Sequence, residues 1–258
     1  MKLSHAVLAS ALFISACSDA PQTQITNLNQ LQPASPPPEM VQKPDFGDYK
    51  IVEEKKKAFV AFLKPGVTYI NGLIENARTR LSSLSDAASI NQDDQAFLAK
   101  VADLFNLPLP ENGPDQAWFK EALKRVDIIP ADLVLSQAAK ESGWGTSRFA
   151  REGNNYFGQW CYTSGCGMVP SARSQGKTHE VAVFKDTFLS IRAYFLNVNR
   201  NKAYASLRDI RADLRKDGKP VTGVALANGL ESYSERGQAY VEEVQGMIRY
   251  NEEYWSQG

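Results

Sequence analysis

The sequence predicts a mostly helical α+β fold, on three observations. Apolar residues recur at helical spacing in runs from Ile51 to Phe105 and again from Thr187 to Tyr254. One short segment, His179 to Phe184, alternates as a strand does, with Val181 and Val183 on the apolar positions. Between them lies a stretch punctuated by Gly153, Asn154, Asn155 and Gly158, which reads as turns rather than helix. The 258 residues suffice for one large domain or a modest domain with extra elements.

In chain order, Lys2 and the apolar run from Ala6 to Ile14 read as an export signal, too short to span a bilayer as a mature helix. The run ends in Ile14-Ser15-Ala16-Cys17, which resembles a bacterial lipobox. Residues 1–16 are therefore expected to be a lipoprotein signal peptide. Cys17 would carry lipid and hold the chain to a membrane at the periplasmic face of a bacterial envelope. Ser18 rather than Asp follows, which in enteric-type lipoproteins implies the outer membrane. From 17 to 48 the chain is rich in Gln, Asn, Pro and Ser and reads as a disordered tether.

Folded structure is expected from about Tyr49, as an N-terminal helical segment (49–126) and a core (127–258). Val52, Phe59, Phe62 and Leu63 share one helical face, and Pro65-Gly66 then predicts a break. A second helix from Val67 to Leu84 would turn Ile70, Leu73, Ile74 and Ala77 inward, and others would run from Asn91 to Phe105 and from Trp118 to Arg125. Pro130 suits the first position of the next helix, and Gly143 its C-terminal cap, with Val134, Leu135 and Ala138 inward and Glu141 near the end. Met168 to Arg173 pairs with the His179 strand in a small hairpin on this reading. Helices follow at Thr187–Val198, Tyr204–Lys216, Gly223–Leu230 and Gln238–Tyr254.

Three cysteines in an exported chain leave an odd one. With Cys17 lipidated, Cys161 and Cys166 remain to form a disulfide in an oxidising envelope. Lys+Arg and Asp+Glu both number 29, so there is no basic excess for binding nucleic acid. The mature chain keeps only His179, which leaves no Ser-His-Asp or Cys-His hydrolase with a recognisable nucleophile and too few ligands for zinc. No phosphate loop or dinucleotide fingerprint is present. Carboxylate chemistry, which needs neither metal nor cofactor, remains. Glu141 suits a general acid, because a helix C-terminus disfavours an anion and Trp144, Phe149, Tyr156, Phe157 and Trp160 follow within a short stretch.

Read together, Ser136-Gln137-Ala138-Ala139-Lys140-Glu141-Ser142-Gly143-Trp144-Gly145, Asn154-Asn155-Tyr156-Phe157-Gly158 and Ser232-Tyr233-Ser234-Glu235 with Tyr240 resemble the signatures of the peptidoglycan glucosaminidases, glycoside hydrolase family 73. The insertion from Gln159 to Pro170 resembles the Bax-type subgroup, and the likeness runs from about Tyr49 to the C-terminus. The resemblance implies a lysozyme-like fold, with a helical lobe and a small β-lobe flanking a cleft. It implies a monomer that binds peptidoglycan glycan strands and hydrolyses the bond after N-acetylglucosamine. Glu141 carries over as general acid and Tyr233 as the cleft tyrosine, with Tyr240 competing for that role. Glu180 is the first candidate for a second carboxylate and Asp186 the other, although a solvated strand position and a helix cap are stronger rival readings for them than any for Glu141. Candidate sugar contacts are Trp144, Asn155, Tyr156, Gln159 and Tyr240. Against these stand turn roles for Asn154 and Asn155 and core roles for Trp144, Phe157 and Trp160. A lytic transglycosylase on the same fold is the alternative, though its Gly-Leu-Met-Gln stretch is replaced here by Gly158-Gln159-Trp160. A wall-binding lipoprotein without turnover is another.

Overall fold

The longest element runs straight through the predicted break. In the computed structural model, which describes residues 37–40, 42–170 and 179–256, helix α1 spans Val52–Ser85 with Pro65 inside it. Pro65 has no N–H to give the carbonyl of Ala61, which normally ends or kinks a helix. Here the apolar register continues across it: Phe59, Phe62, Leu63, Gly66, Val67, Ile70, Leu73, Ile74 and Ala77 are all buried on one side. Packing of that stripe against the rest of the protein outweighs one missing hydrogen bond. Val52, expected on the same face, is instead 53% exposed, because it lies at the open first turn.

The packed region also begins earlier than Tyr49. Met40 and Phe46 are buried against α1 and the loop after the Glu141 helix. A Cβ on Gly145, where φ is +80°, would lie 2.2 Å from the Phe46 ring, so that contact requires glycine; one on Gly66 would lie 2.3 Å from the Met40 sulfur, which would have to shift. Lys43 Nζ ties this strap down by donating to the carbonyls of Ala150 and Arg151 and to Asn154 Oδ1. The expected signal peptide, Cys17 and most of the expected tether lie outside the described residues.

Helices α2 (Gln92–Leu104) and α3 (Gln116–Arg125) follow, each opened by a side-chain cap, Asn91 and Asp115 respectively. Helix α4 (Ala131–Ser142) is the centre of the fold and touches α1. Its start is fixed twice. Asn71 on α1 both donates to the carbonyl of Ile129 and accepts from its N–H. Asp127, nearly fully buried, sits among Arg78, Arg211 and Arg215, the last in a bidentate pair at 2.6 and 2.8 Å. Pro130 caps α4 rather than opening it, one residue from expectation. Gly143 ends it in the left-handed conformation, with Trp144 N–H returning to the carbonyl of Ala139.

A short α5 (Arg148–Gly153) leads into the small lobe. Its sheet has strands β1 (Trp160–Cys161), β2 (Gly167–Met168) and β3 (Glu180–Ala182) in the order β1-β3-β2, all pairings antiparallel. The expected hairpin partner is thus Gly167–Met168, and β1 was not foreseen; residues 171–178 lie outside the described ones. The Cys161–Cys166 disulfide is formed and ties the two outer strands together. Cys161, Ala182, Phe184 and Ala193 make a second small core under the sheet.

The chain then returns to the large lobe as α6 (Thr187–Arg200), α7 (Ala205–Lys216), α8 (Gly223–Ala227), α9 (Gln238–Tyr250) and α10 (Glu252–Trp255). Helices α8, α9 and α10 pack on α4. The expected final helix is broken in two at Asn251, whose side chain accepts from Lys56 and donates to the carbonyl of Met247. The outcome is the mostly helical α+β fold that the sequence predicts. Among the described residues no helix is long and apolar enough to cross a membrane.

Candidate active site

A cleft of about 480 Å³ lies between the lobes. The small lobe contributes Trp160, Tyr162 and Val183 to its wall, and the large lobe contributes Asn197, Tyr204 and Tyr233. Glu141 is not in this lining but comes close to it at Gly158, where a Cβ would stand 3.8 Å from Glu141 Oε2. Gly158 has a φ of +63°, so glycine suits the turn as well as the close approach.

The other carboxyl oxygen is held from behind. Tyr240 Oη donates to Glu141 Oε1 at 2.8 Å, and Gln137 Nε2 donates to that same hydroxyl at 2.9 Å. Gln137 Oε1 in turn accepts from the hydroxyl of Tyr194. The direction of the chain follows from the groups. An amide oxygen only accepts, so Tyr194 must donate; the amide nitrogen then donates to Tyr240, whose own proton is left for Glu141. Burial holds the Tyr194, Tyr233 and Tyr240 hydroxyls well above their usual range, so all three stay neutral donors. Tyr233 lies flat on Tyr240, ring centroids 5.4 Å apart, and is fixed by donating to the carbonyl of Phe157 at 2.8 Å.

Burial pushes the Glu141 carboxyl above the ordinary range; the Tyr240 hydroxyl and the Lys140 charge pull the other way. Lys140 is not free to act fully, because it is paired with Glu243, which also takes Arg236. Those two cations hold Glu243 down to about 2. The end of the α4 macrodipole adds to the preference for a neutral acid. The arrangement can therefore present a proton on Oε2, beside the cleft, while Oε1 is already occupied.

A family model described as glucosaminidase (mannosyl-glycoprotein endo-beta-N-acetylglucosaminidase) matches residues 116–253. The chain belongs to the glucosaminidase family. Protein bax of Escherichia coli (strain K12) is 34% identical over 209 residues, which cover 81% of this chain and 74% of that relative. Outer membrane protein SlpA of Thermus thermophilus is 36% identical over 78 residues, covering 30% of this chain but only 8% of that protein. No solved structure matches. Membership of the family supports a hydrolase-type function on glycans, and the matched segment contains every residue described above as meeting Glu141.

Against that family background, the predicted residues divide. Tyr233 and Gln159 line the cleft, while Glu141 and Tyr240 lie just behind its wall, and it is Tyr240 and not Tyr233 that bonds the acid. Trp144 does not reach the cleft: it stacks on Trp255 at 5.7 Å and meets Phe59 edge-on, in the core. Tyr156 is fully buried near Phe59. Asn155 is a turn residue. Its amide donates to the carbonyls of Gln159 and Ala182 and its oxygen accepts from Phe157 and Gln159 N–H, so none of its polar atoms is left for a sugar. Trp160, expected in the core, is 48% exposed on the cleft wall.

The second-carboxylate candidates are both committed elsewhere. Glu180 is buried on β3, its two oxygens accepting from Gly165 and Gly167 N–H at 3.0 and 2.8 Å. Asp186 caps α6 by accepting from Leu189 N–H. Among the described residues, no Asp or Glu lines the cleft. Residues 171–178 carry none in the sequence either. Gln137, Tyr194 and Tyr162 were missed from sequence. For Gln137 a signal existed, since it lies four residues before Glu141 and so on the same helix face.

Proposed function

We propose that this protein hydrolyses peptidoglycan glycan strands after N-acetylglucosamine, with Glu141 as general acid and the sugar's own acetamido group as nucleophile. The observation that carries this reading is the pairing of a neutral-favouring Glu141 with an adjoining cleft whose described wall holds no carboxylate. Glu141 gives its proton to the glycosidic oxygen as the C1–O bond breaks, and the acetamido oxygen closes on C1 to form an oxazolinium ring. The carboxylate then takes a proton from water as that water opens the ring at C1. The acetamide is restored, Glu141 is reprotonated and the anomeric configuration is retained. Tyr240 donates to Oε1 throughout and stabilises the carboxylate stage. The Ile14 to Cys17 sequence supports a lipid anchor at the envelope for the same enzyme.

The test is digestion of purified sacculi with mass analysis of the products. New reducing N-acetylglucosamine ends of retained configuration, and inhibition by a stable oxazoline mimic, are expected. Anhydro ends, lighter by one water, would make it a transglycosylase instead. An inverted product would require a base-activated water and a carboxylate outside the described wall.

A further inference from the structure

The cleft adjoins a second cavity of different character. This one, of about 590 Å³, includes Arg125, Arg200, Lys202 and Arg208 in its lining, against the single carboxylate of Glu121. It shares Asn197, Arg200 and Asn201 with the cleft, so a ligand in one extends directly into the other. The guanidiniums are preset rather than floppy. Arg125 Nη1 donates to the carbonyls of Phe105 and Asn106, Arg208 Nη1 to those of Val198 and Asn201, and Arg200 Nη1 to that of Leu104. Neutral carbonyls fix these groups without cancelling their charge. Glu121 pairs with Arg125 at 2.8 Å, and Asp103 and Asp209 act on Arg200 and Arg208 from outside the lining, Asp209 being itself paired with Lys124.

A cleft for the sugar backbone of an intact strand has no use for such a field, because there the acetylated amino sugars are neutral, their lactyl carboxyl being tied up in the amide to the peptide. Peptidoglycan is charged on the peptides that substitute its strands, which carry free carboxylates. We propose that this basic cavity binds the carboxylates of the strand's peptide, making the enzyme selective for peptide-bearing over bare glycan. Fixed guanidiniums match carboxylates in planar, paired hydrogen bonds, which ammonium groups do less well. The proposal rests on the reading that the strand lies in the cleft. The experiment is therefore a binding measurement that needs no turnover.

The full chain carrying Glu141→Gln is titrated against glycan strands with their peptides and against the same strands stripped by an amidase, the lactyl carboxylate that this frees being capped as its methylamide. Tighter binding of the peptide-bearing strands, by about tenfold at low salt, is expected, shrinking in 0.5 M salt as surface charge is screened. Adding Lys202→Glu, at an exposed position, should reduce the preference. Adding Glu121→Gln, which removes the lining's one acid, should increase it. Opposite movement in the two variants is a result that simple structural damage does not give. Equal affinity for both strands, or a preference that neither variant moves, overturns the cavity's role and leaves the cleft's intact. Binding to neither strand overturns both.

Discussion

Glu141 and Glu180 are both carboxylates taken largely out of water, one at the end of a helix in the large lobe, the other on a strand of the small lobe. Glu141 accepts from the Tyr240 hydroxyl on one oxygen, and its other oxygen lies near Gly158 of the cleft wall. Glu180 accepts a backbone N–H on each oxygen, from Gly165 in the disulfide loop and from Gly167 on β2. The contrast teaches that burial alone does not make a carboxyl group catalytic. On the proposed reading, what sets Glu141 apart is an oxygen near Gly158 of the cleft wall and surroundings that favour the proton.

The sharpest way to break this division is Glu141→Gln. It should lower glycan cleavage by about a hundred- to ten-thousand-fold, read as product release from sacculi, with unchanged circular dichroism. Wild-type activity should fall as pH rises through the raised pKa of Glu141, since the anion has no proton to give. Stability follows the same sign. A carboxyl whose folded pKa is raised contributes stability that is fully present below its unfolded pKa and lost as pH rises through the folded one. The variant should lack that loss, so its melting temperature should gain on the wild type towards neutral pH.

Glu180→Gln probes the other side. It sets an NH₂ against one of the two backbone N–H groups, costing about 1–3 kcal/mol of stability, while cleavage by the folded protein stays within a few-fold. A loss of activity as deep as that of Glu141→Gln, in a folded variant, would make Glu180 the second catalytic carboxylate and end the comparison. Reducing the Cys161–Cys166 bridge should cost at most about 2 kcal/mol, because the closed loop is short; thermal unfolding with and without reductant measures it. Gln137→Met is the mildest. With the amide gone, Tyr240 can accept the Glu141 proton rather than donate, drawing it away from the cleft. A fall of about tenfold in kcat, the value of one good hydrogen bond, is expected with little change in KM, and the alkaline limb of the pH profile should move up.

Much of this arrangement was legible in the sequence where local chemistry decides it. Gly143 marks the end of α4 because a left-handed cap favours glycine, and Asn91 and Asp186 open their helices as short polar side chains do, whereas the Asp115 cap that starts α3 before Trp118 went unread. Pro65 misled because proline is a local signal and the buried stripe on both sides of it is a tertiary one. The spacing Phe62, Leu63, Gly66, Val67, Ile70 carried the answer without a gap. The roles of Tyr233 and Tyr240 could not be separated in sequence, since which hydroxyl reaches Glu141 depends on how α9 docks on α4, 99 residues away. Trp144 and Trp160 were equally ambiguous. Both follow the helix of the acid, and only the left-handed backbone at Trp144 and the β1 pairing at Trp160 send one inward and the other to the cleft.

The matched family segment starts at residue 116, well after α1 has ended. Yet α1, at about 50 Å long, packs on α3, α4, α6 and α10, and Phe46 before it fills the space under Gly145. The unit that the family model describes is thus smaller than the unit that folds, whereas the 209-residue match to protein bax reaches back across α1. A fragment cut at the family boundary would expose the apolar flank of the helix that bears the acid. Exchange of catalytic segments between relatives is therefore constrained by a partner outside the signature. Any transplant of this enzyme's chemistry has to carry its own N-terminal scaffold with it.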